Sequence, residues 1–405
     1  MQQDIHTAEN APVMPLQGVR VVELTHAWAG PLCGMMLADM GAEVIKVEAP
    51  SQSPEARGGF PYASGESVIF MMTHRNKKSA TIDLKTPLGM SAFRRLIEGT
   101  DILVQNMRPG TMEKLGCSFE DLRAVNPRLI YTSVSGFGPV GPDSKRAGVD
   151  QAAIAMSGLA ATTMADAATK PIALGTPVCD YMAAMWACHG TLCAYIARQH
   201  TGLGQKVDSS LLEAGISLMI GPTAMHHHTP GYTGLKTSIN GPSEFFLARD
   251  GHWVSVFASY PALWDRFVEA MGMPGLAEDE RFKTRNGRTA NARLLAEVLA
   301  PTFATKNCHE WVELLGKAGV PSAQVNTIGE TFEEPQVKAT GILQTVDHPT
   351  AGPIRVLATP VKLSETPASV RTPAPLLGQD TEAILRSLSY SDEEILDLRA
   401  NNVIG

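Results

Sequence analysis

Residues 18–48, GVRVVELTHAWAGPLCGMMLADMGAEVIKVE, read as strand, loop, helix and strand, and this alternation constrains the fold more than any other stretch of the chain. Val19, Val21, Val22 and Leu24 form a short apolar run rich in β-branched residues, which favours a strand. After the Gly30-Pro31 loop, Leu32, Met35, Met36, Leu37 and Met40 recur at helical spacing. Gly41 stops the helix, and Val44, Ile45 and Val47 begin a second strand. Such a βαβ unit places its strands parallel in a covered sheet. Ligands of open α/β sheets bind at the carboxyl ends of the strands, where THAWAGP (25–31) lies.

The same stretch excludes some chemistry. A dinucleotide fold would carry G-x-G-x-x-G at this strand end. Gly30 and Gly34 are present without the paired glycines, and no G-x-x-x-x-G-K-[ST] occurs in the chain. These absences weigh against nicotinamide, flavin and ATP chemistry but leave a nucleotide-containing ligand open. The 405 residues accommodate one large domain or, more readily, two. Hydrophobic content of 44% with 19% charged residues is that of an ordinary globular protein, and a net charge of −7 argues against nucleic-acid binding. The six cysteines (33, 117, 179, 188, 193, 308) form no CxxC pair and no metal-ligand spacing, which fits reduced thiols in a cytoplasmic chain. Residues 1–14 are polar, with Asp4 and Glu9, and do not read as a signal peptide. The longest apolar helix, 182–197, contains His189 and falls short of the roughly 20 residues that span a bilayer.

Strand and helix signals alternate through the first half. A strand is expected at 79–84, a helix at 87–98 with Phe93, Leu96 and Ile97 inward, and a strand at 101–105. NMRPG (106–110) is a second loop at a strand end; a helix at 119–125 and a strand at 129–134 follow, then a Gly-Pro loop over 135–142. Long helices are expected at 148–160 and 180–198, a turn at 200–206 and a helix at 209–221. Residues 222–243, rich in Pro, Gly, Thr and His, read as a linker. Residues 244–325 have their own pattern: a hairpin of 245–247 and 253–257 across Arg249-Asp250-Gly251, then helices at 261–272, 289–300 and 308–318. Short strands lie within 341–363, and 367–375 is Pro-rich. The last helix, 391–400, opens with Ser391 and Glu394, a capping box.

Asp180 is the first candidate for chemistry. It stands in GTPVCDYMAAMWACHG, where a loop becomes a strongly apolar helix. A carboxylate there meets unpaired N–H groups and the positive end of the helix dipole, so simple capping is one reading. The other is covalent: a carboxylate attacks an activated acyl group such as a thioester, giving a mixed anhydride and expelling a thiolate, with no base required because a carboxylate is already ionised near pH 7.

Blocks along the chain decide between them. GVRVVELTHAWAGP, MGAEVIKVE, RNKKSATIDLK, LVQNMRPGTMEKLG, NPRLIYTSVSGFGPVGP, TGLGQKVDSSLLEA and PAPLLGQDTEAIL, in this order and spacing, make the chain resemble the family III coenzyme A transferases of the CaiB/BaiF type. These include formyl-CoA and carnitine-CoA transferases, and the α-methylacyl-CoA racemases share their fold. The resemblance runs from about residue 15 to the C-terminus.

The resemblance implies that the Asp of VCDY, Asp180, attacks acyl-CoA to form an aspartyl anhydride. CoA thiolate then gives an aspartyl-CoA thioester, the acceptor acid displaces that carbonyl, and CoA returns to form the new thioester. The racemases place a His where this chain has Val149; a proton shuttle needs two titratable groups, Val149 has none, and adjacent Asp150 is expected to point elsewhere from its helix start. Transfer is therefore favoured over racemisation. CoA needs cations and backbone donors for its phosphates. The resemblance places its contacts at His26, Ala29, Ile82 with Asp83, Asn106, Met107 and Lys114, with Lys145 and Arg146 near the adenine end, and the Arg75-Asn76-Lys77-Lys78-Ser79 cluster before a strand adds Arg75 as a candidate. One departure is Ala49, where formyl-CoA transferase has an Arg.

The acceptor pocket is expected to involve Trp28, Val149 and Gly241. Trp28 replaces a small amide residue of formyl-CoA transferase, and the Gly-run loop of that enzyme shrinks to NGPS (240–243), so formate and oxalate are not expected as the natural pair. His226-His227-His228 are adjacent, and three consecutive side chains cannot readily face one ion; no metal and no tightly bound cofactor are expected, CoA being substrate and product.

The expectation is an α/β chain: a large Rossmann-like parallel-sheet domain (15–221, completed by 364–405), a smaller α+β domain (244–325), and two long linkers (222–243 and 326–363). The resemblance adds an interlaced homodimer with an active site between domains, and no nucleic-acid or membrane partner. The function expected is CoA transfer from an acyl-CoA to a small carboxylic or dicarboxylic acid, with succinyl-CoA the donor that the family's habit suggests. The alternatives are an α-methylacyl-CoA racemase-like isomerase, intramolecular CoA transfer within one diacid, and a non-catalytic CoA-binding protein.

Overall fold

The computed structural model describes residues 13–51, 57–59, 61–164, 166–234 and 241–405. The chain divides into two compact units, one of Met1–Thr163, Lys170–Gly234 and Thr340–Gly405, the other of Met164–Thr169 and Leu235–Ala339.

The first unit is built on β1 (Arg20–Leu24), α1 (Ala29–Asp39), β2 (Glu43–Glu48), β3 (Lys77–Thr81), α2 (Pro87–Glu98), β4 (Ile102–Gln105), β5 (Ile130–Ser135), α3 (Asp150–Met156), α4 (Val178–Thr201), β6 (Lys206–Ser210), α5 (Leu211–Ser217) and α6 (Ile220–His228). The six strands form one parallel sheet in the order β3-β2-β1-β4-β5-β6. Successive side chains leave opposite faces of a strand. Val21, Val44, Ile102 and Val104 meet α1 and α4 on one face. Val22, Ile45 and Leu103 meet Phe93, Leu96 and Ile97 of α2 and the C-terminal Ile384, Leu385, Ile395 and Leu398 on the other. Both faces are thus covered, which explains the near-continuous apolar runs of β1 and β2.

Helix α4 comes close to the sheet because its inward positions are small: Ala183, Ala184, Ala187 and Ala194 are buried. It ends at Gly202, whose φ of 72° lets its N–H reach the Arg198 carbonyl. At the C-terminus the capping box of Ser391 with Glu394 opens the helix Asp392–Ala400 as the sequence suggests. The elements expected from 18 to 135 recur in order with shifts at the boundaries, and the structure adds the short pair Tyr62–Ala63 and Glu66–Ser67 and the helices Val68–Thr73 and Thr111–Lys114, which the sequence reading did not include.

Four segments differ from expectation. The helix expected at 148–160 is only α3, because Gly158 takes a left-handed φ of 85° and a short 3-10 turn, Ala160–Thr163, follows. KVDSS, read across a turn and a helix start, is strand β6 at the sheet edge, paired only with β5. Within 222–243, residues up to His228 are helical in α6, while 235–240 lie outside the described residues. The return segment 326–363 carries the helices Ile328–Glu333 and Pro335–Thr340 and the antiparallel pair Leu343–His348 and Gly352–Leu357.

In the second unit Ser243–Leu247, Trp253–Phe257 and Ser322–Gln324 form an antiparallel sheet. Pro261–Ala270, Ala292–Phe303 and Cys308–Lys317 cover it with a core of Trp264, Phe267, Phe303 and Trp311. Among the described residues no helix is long and apolar enough to cross a membrane.

Candidate active site

Three loops at the carboxyl ends of β1, β4 and β5 surround the amino end of α4. The β1 loop gives His26, Trp28 and Ala29, the β4 loop gives Asn106, Met107 and Arg108, and the β5 end gives Ser135 and Gly136. With Arg146, Val149, Asp150, Thr176 and Asp180 they line a cleft of about 610 Å³. Gly136 and Gly148 make this geometry possible: a β-carbon on Gly136 would lie 2.5 Å from the Gly148 Cα.

Asp180 is in the first turn of α4. The residue before the helix, Pro177, offers no side-chain cap. Asp150, the first residue of α3, supplies one instead: its Oδ1 accepts from the backbone N–H of Cys179 at 2.8 Å and of Asp180 at 3.1 Å. The expectation that Asp150 points elsewhere is therefore corrected, because the way α3 meets α4 turns it onto the amino end of the nucleophile helix. Burial, and then the Asp150 charge, push the Asp180 carboxyl up to about 7, against the opposing backbone N–H of Ala29. This also corrects the expectation of a fully ionised group at neutral pH.

The shift has a sign that stability can read. The folded chain holds a proton on Asp180 from the ordinary carboxylate range, near pH 4, up to about 7, so this group makes folding less favourable as pH rises through that window. Asp180→Asn is expected to be more stable than the wild type by about 4 kcal/mol at pH 8 and close to it at pH 4. Thermal unfolding across pH checks this; a stability difference independent of pH contradicts it.

The β1 loop is held from several sides. Lys46 Nζ donates to the Thr25 carbonyl at 2.6 Å. The Asn106 side chain accepts from the His26 N–H at 2.9 Å and donates to the His26 carbonyl at 2.8 Å. Ala27 has a φ of 59°, an uncommon left-handed conformation for a non-glycine residue, between these anchors. A β-carbon at Gly30 would meet Thr25 and the Asn106 side chain at 2.7 and 2.9 Å. Asn106, expected to touch CoA, thus engages its amide within the protein and shapes the loop. Burial, Lys46 and Arg108 lower the pKa of His26, favouring the neutral imidazole.

A second cleft of about 790 Å³ shares His26, Trp28 and Met107 with the first and adds Lys46, Ile82, Asp83, Thr111 and Leu115. Ile82 is buried in its wall. A further cleft of about 480 Å³ lies at the amino ends of β2 and β3, where Lys78 is paired with Glu43 at 2.6 Å; it gathers none of the candidate site residues.

The sequence-derived set divides accordingly. His26, Trp28, Ala29, Asn106, Met107, Arg146, Val149 and Asp180 line one cleft, and Ile82 the adjoining one. Trp28 lies 5.9 Å from the Tyr181 ring, beside the nucleophile candidate. Arg146 sits over the Phe137 ring and 3.4 Å from Asp143. Arg75 does not join them: it is 3% exposed, with Nη2 at 2.6 Å and Nε at 3.1 Å from the Asp39 carboxylate, a structural pair. Lys114 and Lys145 are exposed and line neither cleft. Gly241 belongs to the second unit, where its carbonyl accepts from Arg288 Nε at 3.2 Å. Sequence reasoning did not single out Lys46 or Arg108. Arg108 adjoins the quoted Asn106-Met107 pair and could have been found there; Lys46 sits mid-strand and gave no such signal.

Among the described residues no three His, Cys, Asp or Glu side chains are grouped to hold a metal. His226, His227 and His228 end α6 with adjacent rings 5.2 and 6.5 Å apart.

The family model for CoA-transferase family III matches residues 16–381. The chain is 35% identical to succinyl-CoA–D-citramalate CoA-transferase of Chloroflexus aurantiacus, covering 97% of this chain and 99% of that protein. It is 32% identical to succinyl-CoA:glutarate CoA-transferase of Homo sapiens, covering 97% and 90%. Among solved structures, Rv3272 from Mycobacterium tuberculosis in its orthorhombic form superposes with a TM-score of 0.82 at 30% identity over 92% of this chain and all of that one. A CaiB/BaiF family protein from Brucella suis gives 0.80 at 29% over 93% and all of its chain.

Proposed function

The chain belongs to CoA-transferase family III and is a CoA-transferase; from that premise we propose that it moves CoA from succinyl-CoA to a small dicarboxylic acid through covalent intermediates on Asp180. The observation carrying this reading is a carboxylate, Asp180, at a helix amino end inside a cleft walled by three strand-end loops. The curated relatives named above pair succinyl-CoA with diacids, which supports the donor and the acceptor class.

In this mechanism the Asp180 carboxylate attacks the thioester carbonyl, the C–S bond breaks, and CoA leaves as thiolate, producing a mixed anhydride. The thiolate attacks the aspartyl carbonyl, releasing succinate and leaving an aspartyl-CoA thioester. The acceptor carboxylate attacks that carbonyl, expels the thiolate and forms a new anhydride. The thiolate then attacks the acceptor carbonyl, yielding the new acyl-CoA and free Asp180. The Ala29 N–H, directed at the Asp180 carboxylate, is placed to stabilise charge on its oxygen when the thiolate and then the acceptor carboxylate attack the aspartyl carbonyl. The Ile82–Met107–Leu115 wall suits the apolar parts of CoA, with Lys46, His26 and Arg108 near its polar groups. Trp28 shapes the acid side, where a closed site is needed because anhydrides hydrolyse.

An interlaced homodimer working in the cytoplasm completes the proposal. Exposed apolar side chains on three successive helices of the first unit, Met185, Trp186 and Ile196 of α4, Ile216 of α5 and Ile220 of α6, support the pairing of two copies.

The test incubates the protein with succinyl-CoA and a panel of mono- and dicarboxylic acids and reads acyl-CoA masses. New thioesters with dicarboxylic acids are expected, at least tenfold faster than with monocarboxylic acids of the same length. No new thioester with any acid, together with α-deuterium uptake into a branched acyl-CoA, would replace transfer by racemisation. The Oδ1 of Asp150 weighs against that outcome, being engaged by two backbone donors. Transfer confined to the two ends of one diacid would be read from product regiochemistry.

A further inference from the structure

We propose that Asp150 is a positioning residue for the nucleophile: its carboxylate anchors the amino end of the helix that carries Asp180 and, by its charge, sets how strongly Asp180 attacks. The inference rests on the reading of Asp180 as the attacking group.

The geometry has three parts. Helix α4 begins after Pro177 without a side-chain cap, so its first N–H groups need an acceptor from elsewhere. Asp150 Oδ1 meets two of them, at 2.8 Å to Cys179 N and 3.1 Å to Asp180 N, and one of these is the backbone of the nucleophile itself. Both carboxyl groups line the same cleft. A helix amino end ordinarily favours the ionised form of a carboxylate. Here the positive end is already met by one negative charge, so the second carboxylate is less stabilised as an anion.

The groups around Asp180 leave Asp150 as the anion acting on it. On its own helix, Cys179 and Tyr181 have raised pKa values and stay neutral near pH 7. From the β1 loop come His26, whose pKa is lowered, and the Ala29 N–H. Arg108 and Arg146 line the cleft as cations and oppose the effect. The chemical consequence follows from basicity. A more basic carboxylate is a stronger nucleophile toward a thioester and a poorer leaving group from the anhydride, which brings the covalent intermediates closer in energy to the thioesters they connect.

Asp150→Asn separates anchoring from charge, because its amide oxygen can accept the same two N–H bonds; Asp150→Ser is a second neutral acceptor should the amide fold poorly. Two readouts are used. One is the pH dependence of CoA release in a single turnover with succinyl-CoA. The other is the pH at which the stability difference between Asp180 and Asp180→Asn proteins stops growing, which needs no turnover. The expected result is that the release midpoint and this levelling-off pH, both near pH 7 with Asp150 present, fall by about one pH unit in the neutral variants, and that the release rate at high pH falls several-fold. A levelling-off pH that stays at the wild-type value in both variants overturns the assignment. A levelling-off pH that moves while no thioester releases CoA upholds the electrostatic coupling and refutes the transfer reading instead.

Discussion

Replacing Asp180 by alanine is expected to reduce CoA transfer by at least about 10⁴-fold while changing CoA affinity by less than about threefold. The two effects separate because the groups are separate. Asp180 stands on the amino end of α4, whereas the second cleft is walled by Ile82, Met107, Thr111 and Leu115 from other loops. Covalent catalysis through a carboxylate leaves no substitute when that carboxylate is removed, since the cleft's remaining acid, Asp150, is bound to two backbone N–H groups. Steady-state turnover with succinyl-CoA and calorimetric titration with CoA check the pair of values. Retained turnover in the alanine variant would eliminate the covalent route. Loss of CoA binding along with turnover would mean that Asp180 holds the α4 terminus together rather than attacking.

The largest loss of stability is expected at Glu23. It is fully buried in β1, with Lys77 Nζ at 2.7 Å, the Thr25 hydroxyl at 2.6 Å, Lys46 Nζ at 3.5 Å and His74 Nε2 at 3.7 Å. Lys77 also donates to the Pro31 carbonyl at 2.8 Å in the first turn of α1, and Lys46 to the Thr25 carbonyl at 2.6 Å. One carboxylate therefore lies between two buried ammonium groups that together grip both sides of the His26-Ala27-Trp28 loop. Glu23→Ala leaves these charges buried without their partner, at a cost of about 3–5 kcal/mol. Thermal unfolding should show a markedly lower midpoint, and CoA affinity should weaken as the loop loosens. A melting temperature within one or two degrees of the wild type would contradict the role given to this cluster. Gly34 belongs to the same arrangement, because a β-carbon there would collide with the Glu23 carboxylate.

The parallel sheet was legible because strand and helix periods in 18–48 are unmixed: Val21 and Val22 take opposite faces, and α1 sits between β1 and β2. Asp180 was legible as a place, a carboxylate where loop becomes apolar helix, and the ordered blocks gave it a chemical role. What could not be read was anything set by two elements meeting. The direction of Asp150 depends on the approach of α3 to α4, and sequence neighbours say nothing about that. Arg75 next to Asn76 and Lys77 looked like an anion site, yet Asp39, far away in sequence, takes its guanidinium. Strand β6 escaped because Asp208, Ser209 and Ser210 lack the usual strand signature, which an edge position next to β5 tolerates. Helix α6 escaped because Gly221 and Pro222 resemble a linker, although Pro is tolerated in a first helical turn, where its missing N–H has no partner to lose.

The central claim is a covalent bond to Asp180, and the direct measurement is peptide mass spectrometry of the protein quenched during turnover with succinyl-CoA and treated with borohydride. The account predicts a reduced aspartyl side chain at position 180, dependent on succinyl-CoA and absent from Asp180→Asn. An unmodified Asp180 in enzyme that is turning over, or a label on another residue, would contradict it.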